Sequence, residues 1–285
     1  MYENLVSSFR RAGHTVKLTE FIYEERRRRL LQRVWARLEK VLAIACVLAV
    51  WEIIPRLDLV DSFLLPPFSE VVKSLAGLVA TGELFKHFSV SLQRSLIGFL
   101  LGMGIAIPLG IFMGRFAPIE EVMDPLLQAC RNSSVLALYP VFLLFFGLGE
   151  VSKTAIIVWG TIWPSLLNTI SGVKNIDAQL IKAARSMGIS SAALLYKVIL
   201  PAALPSILTG IRLSAATSIL VLVAAEMIGA NSGLGFMIFY FEERYAVPEM
   251  YAGIITMSLL GLLVNYLLVG LNKRVTGWKE KAEGN

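Results

Sequence analysis

Apolar runs recur along this chain at lengths that suit lipid better than water. Crossing about 30 Å of hydrocarbon at about 1.5 Å per helical residue takes close to twenty residues. Runs of roughly that length lie near 38–57, 92–114, 133–150, 153–173, 207–229 and 250–271. They predict an all-α membrane protein with about six transmembrane helices. The first run is the weakest, because Glu39, Lys40 and Glu52 trim its apolar stretch. A cleaved leader competes for it, since a basic segment precedes the run. The nearby small-x-small tripeptide, Ala43-Ile44-Ala45, sits close to the start of the run, where cleavage would leave most of it behind. A retained span is therefore expected.

Composition supports the pattern. Hydrophobic residues make up 56% of 285 positions, charged residues only 17%, and mean hydropathy is +0.67. A water-soluble surface does not tolerate that balance. Once the apolar runs are set aside, no stretch remains that could bury a core of its own. A single membrane domain is expected over 38–273, between a basic N-terminal segment, 1–37, and a tail, 274–285. The formal charge of +6 does not point to nucleic acid, because the basic residues sit beside apolar runs and do not interleave with aromatics on a soluble face. Anionic lipid head groups suit them better. Of 27 Lys and Arg, 21 fall on the side that receives both termini and the 174–212 stretch, which predicts cytoplasmic termini. Arg26 to Arg29 with Arg33, Arg37 and Lys40 form a basic stripe leading into the first span, as a lipid anchor would.

Punctuation residues refine the spans. Leu65-Pro66-Pro67 breaks any helix, Ser69 can cap a new one and Gly82 can stop it, so a short helix should lie outside the membrane core. The second span carries Gly98, Gly102, Gly104, Gly110 and Gly114 around Pro108, a density that signals close helix packing. Cys46 and Cys130 have no metal-spaced companions and read as small packing groups. Few polar residues sit along the spans. Arg94, Asn168, Arg212, Glu226 and Asn265 are the candidates for a pathway or for interhelical bonds. Arg94 enters one span and Glu226 leaves another at similar depth, so the two are expected to pair, since an unpaired charge there is costly.

The stretch between the fourth and fifth runs is unlike an ordinary loop. Asp177 can cap a helix reaching about Met187, Gly188 can end it, Ser190 or Ser191 can cap a second, and Pro201 should limit the second. This predicts a helix-turn-helix projecting from the membrane over 177–201. Ala183 and Ala184 would allow a partner to approach closely, and Gly188 would permit a positive φ.

The series Ala183-Ala184, Gly188 four residues on, nine residues, then Val198-Ile199-Leu200-Pro201 resembles the E-A-A-x3-G-x9-I-x-L-P signature of permeases in ATP-binding cassette importers. Lys182 stands where that pattern prefers Glu, and Val198 where it prefers Ile. Ser91-Leu-Gln-Arg94-Ser-Leu-Ile-Gly98, Pro108-Leu-Gly110-Ile-Phe-Met-Gly114, Phe146-Gly147-Leu-Gly149-Glu150-Val-Ser-Lys153 and Ala225-Glu226-Met-Ile-Gly229 are similar to the branch serving nitrate, bicarbonate, taurine and aliphatic sulfonates. Arg131-Asn-Ser-Ser-Val departs from that branch's usual proline-containing version. The resemblance covers roughly 60–275. It implies the type I importer permease fold, working as a homodimer with two ATPase subunits and a solute-binding protein outside a bacterial inner membrane. Asp177, Lys182, Ala183, Ala184, Gly188, Leu200 and Pro201 would belong to coupling helices that dock on the ATPase. No cofactor or metal is implied.

Two other classes fit the sequence less well. An ion-coupled transporter would need ionisable groups near the bilayer midplane, where only Glu226, near one end of its span, comes close. A membrane enzyme would need chemistry that His14 and His87 alone do not supply, with no paired carboxylates or nucleophile turn. Gly147-Leu-Gly-Glu-Val-Ser-Lys153-Thr154 has the look of a phosphate-binding loop, but Ser152 replaces the glycine needed before the lysine. Energy would therefore come from a partner subunit.

Overall fold

The computed structural model describes the backbone of residues 41–283 with residues 32, 35, 38 and 39, and most side chains up to 274. The N-terminal basic segment and its Arg26 to Arg29 stripe lie outside the described residues. Every regular element among the described residues is helical. The chain divides into two compact units, up to Glu70 and from Val71 onward.

In the first unit, α1 covers 41–56, and α2, Phe68–Ala80, begins at its end. Trp51 Nε1 donates to the Pro66 carbonyl at 3.1 Å, and its ring lies 5.4 Å from that of Phe68. Ser69 does not cap α2 as its position suggested. The two prolines let the helix start at Phe68, so Ser69 falls inside the first turn and becomes a donor. Its N–H and hydroxyl both donate to Glu52, each at 2.8 Å. The carboxylate that weakened the first apolar run thus caps the next helix. Gly82, at φ 76°, ends α2 as expected and starts α3.

The second unit is organised around three long helices: α3 (Glu83–Arg115), α6 (Glu150–Lys174) and α9 (Leu200–Met227). Every fourth residue of α3 from Gly98 is small and meets every fourth residue of α6. A Cβ on Gly98 would come within 2.5 Å of Ile157, on Gly110 within 2.7 Å of Thr169 and on Gly114 within 2.8 Å of Val173. Gly102 lies equally tight against Thr161, and Ala106 fills the remaining step in full burial. The constant offset means that the two helices run parallel, at a closeness that side chains would forbid. Gly104, two residues out of phase, meets nothing within 4 Å and takes no part in this packing. Along α9 the order reverses: Gly160 meets Val221, Gly210 meets Asn168 and Gly172 meets Ser206. Ser214 Oγ donates to the Thr161 carbonyl at 2.6 Å, so α9 is antiparallel to α6.

Four described helices are long and apolar enough to cross a membrane, and a bent pair makes a fifth. The pair corrects the predicted span at 133–150. There α4 (Ala117–Asn132) and α5 (Val135–Phe146) meet at 94°. Ser134 accepts from the Ala137 N–H at 3.4 Å and starts α5 afresh, while Gly147 at φ 76° ends it. Twelve residues reach only about 18 Å. The first predicted run, 38–57, lies partly outside the described residues. Two short stretches follow α6: α7 (Ala178–Ser186) and α8 (Ser191–Leu194). Beyond α9, a helix the hydropathy pattern did not signal, α10 (Leu234–Glu243), precedes α11 (Val247–Glu283).

Candidate functional site

Two constructions stand at opposite ends of the α3–α6–α9 core. The first is the elbow that joins α6 to α9. Asp177 accepts from the Gln179 N–H at 2.7 Å and caps α7. Gly188 takes φ 74° at the corner, where its N–H donates to the Arg185 carbonyl at 2.9 Å. A Cβ there would be strained by the backbone even though open space surrounds it. Ser190 then accepts from the Ala193 N–H and caps α8.

Pro201 does not break the second helix. A π turn over Leu195–Ile199 intervenes, in which the Leu200 N–H donates to Leu195, five residues back. That widening makes room for a proline ring in the first turn of α9, and 191–227 runs on as one helix. The elbow is seated by a cluster of Val173, Ala184, Leu194, Ile199, Ala203 and Ile207, with Leu200 packed against it. Ala184, expected to face a partner, is buried in this cluster. On so short a helix one small residue must serve the seat, and Ala184 shares its face with Ile181. Lys182, Ala183, Arg185 and Met187 are exposed on the other side. Beside the elbow, Lys174 Nζ donates to Glu120 at 2.7 Å, tying α6 to α4.

The second construction is a buried charge network. Arg94 on α3 is 5% exposed and makes five hydrogen bonds. Its Nη1 donates to Glu226 Oε1 at 2.8 Å and to the Ser232 carbonyl. Its Nε and Nη2 donate as a fork to the two Glu150 oxygens, each at 2.6 Å, while Nη2 also reaches Ser232 Oγ at 3.3 Å. Glu226, fully buried near the end of α9, also accepts from Ser91 Oγ and from the Gly235 N–H at 2.9 Å. The Leu234 N–H donates to Ser91 Oγ, and the Gly233 N–H to His87 Nδ1 at 3.0 Å. Gly233, at φ 117°, presses so closely on the Glu226 carboxylate that no side chain would fit. The network locks α3, α6, α9 and the turn into α10 together.

Arg94 and Glu226 are thus brought into direct contact. Asn168 is turned inward, its Nδ2 donating to the Pro164 carbonyl of its own helix at 2.7 Å. Arg212 and Asn265 come together elsewhere, lining a groove of about 380 Å³ between α9 and α11. The pattern of apolar runs did not mark Glu150 as a partner of Arg94, nor Ser91, His87 and Lys153 as neighbours in the network around it. The available signal was positional: Glu150 opens a span at the same end as Arg94. Lys153 is buried one turn on, its Nζ 3.3 Å from the Gly149 carbonyl and 3.6 Å from Glu150. Glu150 also borders a largely apolar groove of about 560 Å³ lined by Phe142, Thr154 and Trp159 among others.

Residues 106–277 match the family model described as the binding-protein-dependent transport system inner membrane component. The chain is 38% identical over 240 residues to a Bacillus subtilis protein named as an aliphatic sulfonates transport permease, covering 84% of this chain and 87% of that one. It is 34% identical over 240 residues to the taurine transport system permease protein of Escherichia coli, covering 82% and 87%. Among solved structures it shares its fold with the methionine ABC transporter in an inward-facing conformation, at TM-score 0.58 and 18% identity, covering 65% of this chain and 93% of that one. The elbow, the helical core and these relatives agree: the chain belongs to the family of inner membrane components of binding-protein-dependent transport systems, as a permease subunit of an ABC transporter.

Proposed function

We propose that two copies of this chain form the pathway of an importer for a small organic or inorganic anion. The pathway opens to a solute-binding protein at the Arg94 end and couples to two ATPase subunits at the elbow. The elbow carries this reading. Its two caps, its left-handed glycine and its apolar seat hold it as one rigid piece, continuous with α9 through the π turn. A push on its exposed face would therefore be transmitted along a 37-residue helix to the opposite end of the core. Asp177, Lys182, Ala183 and Gly188 would make or shape the ATPase contact, while Ala184, Leu200 and Pro201 set the elbow's angle from beneath. The excess of Lys and Arg supports a cytoplasmic side for the elbow and both termini, and anionic lipid as the partner of the basic N-terminal segment.

The names of the relatives suggest a sulfonate, with taurine, nitrate and bicarbonate as companions through the wider resemblance. Purified permease reconstituted in liposomes with its ATPase and binding protein should take up labelled taurine or an alkanesulfonate only with ATP inside the ATPase-bearing compartment. Uptake driven by an ion gradient without ATP would overturn the reading. Single cysteines at Ser7, Ser191 and Glu242 give the orientation. An impermeant maleimide should label only the third in intact cells.

A further inference from the structure

The Arg94 network has two unequal halves. Glu226 is fully enclosed and bound by Ser91, Arg94 and a backbone N–H. Glu150, holding the Nε and Nη2 edge of the same guanidinium, has its side chain 62% exposed at the rim of the 560 Å³ groove. Its two 2.6 Å bonds from Arg94 and a looser 3.6 Å ion pair with Lys153 hold it. An arginine fork presents two parallel N–H groups to any group with two coplanar oxygens, which includes a carboxylate, a sulfonate, a nitrate and a bicarbonate. Lys153 is buried beside this edge with one carbonyl contact at 3.3 Å, so a second cation stands ready where Glu150 now lies. Arg94 and Lys153 balance Glu150 and Glu226 in charge. Moving Glu150 aside would leave the cluster one charge positive.

We propose that the Nε/Nη2 edge of Arg94, with Lys153 beside it, is an oxyanion-binding point at the mouth of the pathway. Glu150 occupies it as an internal stand-in until a small oxyanion displaces it. The assignment rests on the anion reading of the cargo and adds the residues that would recognise it. Glu226 remains bound throughout and keeps Arg94 in place, while the Glu150 carboxylate, already 62% exposed, swings outward from the guanidinium. The same fork would accept a lipid phosphate, so the test must separate the two sources.

The experiment uses the permease–ATPase complex in nanodiscs without the binding protein, with methanesulfonate as probe and calorimetry as readout. Glu150→Gln keeps the shape but removes the competing charge. It should bind methanesulfonate roughly tenfold or more tightly than the unsubstituted protein, the scale of one charged hydrogen bond regained. Adding Lys153→Met should remove much of the gain. Glu150→Asp, which keeps the charge but shortens the reach, should fall between, and it serves if the Gln variant does not assemble. A gain that persists in phosphatidylcholine discs supports a soluble anion. That support requires a gain of the same size in discs containing phosphatidylglycerol; a gain lost whenever phosphatidylglycerol is present would make lipid phosphate the occupant and overturn the cargo assignment. Equal affinity in all the variants that assemble would overturn the site itself. Stimulation of ATP hydrolysis by the loaded binding protein, measured on the unsubstituted complex, reports separately on the importer reading.

Discussion

The two ends of the helical core are held by opposite means. The elbow is seated by apolar side chains, and its charged residues Lys182 and Arg185 are exposed and form no ion pair among the described residues. The Arg94 end is held by paired charges, of which Arg94 and Glu226 are buried and Glu150 lies at the rim, and glycine lets the chain close over the buried pair. A seat of methyl groups is non-directional and strands no charge when it is disturbed, so the elbow can be altered without exposing an unpaired buried group. A buried ion pair with every donor used is intolerant, because removing one partner strands the other without water. The comparison predicts where substitutions break the molecule and where they only uncouple it.

Glu226→Ala should be the most damaging single change. It leaves the Arg94 Nη1 group buried beside an empty space, at a cost of about 3–5 kcal/mol. Detergent-purified protein should show a large drop in thermal midpoint or no folded peak. A double change of Arg94→Met with Glu226→Leu should cost less than the sum of the single changes, and strict additivity would argue against the pair. Next comes the helix interface. Gly114→Leu should cost about 1–3 kcal/mol as the new side chain meets Val173, whereas Gly104→Leu on the same helix should be near neutral. Similar losses at both would mean that α3 and α6 do not pack in this register.

At the elbow, Gly188→Val should add about 1–3 kcal/mol of backbone strain. The permease should still insert, but its ATPase should be bound weakly or no longer respond to the binding protein. Ala184→Trp should also destabilise the permease itself, because Ala184 lies within the seat. A variant with normal stability and blocked docking would place that residue on the outer face instead. Lys182→Glu should be the mildest. As an exposed substitution it should leave the thermal midpoint nearly unchanged, while shifting the salt dependence of ATPase binding.

Much of this was legible in the sequence where local chemistry decides the outcome. Asp177, Gly188 and Ser190 act through bonds within a few residues of themselves, so their spacing was enough to place two caps and a turn. Arg94 and Glu226 could be paired because both interrupt apolar runs at matching depth. Glycines 98, 102, 110 and 114 share a four-residue phase, but the out-of-phase Gly104 shows that density alone does not identify an interface. Other features depend on contacts distant in sequence. Hydropathy trimmed α3 to start at 92 because Lys86, His87 and Ser91 are polar, yet tertiary partners bury His87 and Ser91. The run at 133–150 read as one span because apolar content does not reveal that Ser134 restarts the helix at a right angle. Ala184 gave no sign of which side it faces, since a small residue suits both a seat and a docking face. Pro201 reads as a stop in the sequence, where nothing signals the π turn over Leu195–Ile199 that accommodates it.

The central claim is that the elbow is the ATPase contact and that the Arg94 end faces the binding protein. A photo-crosslinking residue at Met187, which is 73% exposed at the apex of the elbow, tests it most directly against one at Ile228, exposed at the other end. In the assembled complex with loaded binding protein, position 187 should crosslink to the ATPase and position 228 should not. Crosslinks from 228 to the ATPase, or from 187 to the binding protein, would contradict the account.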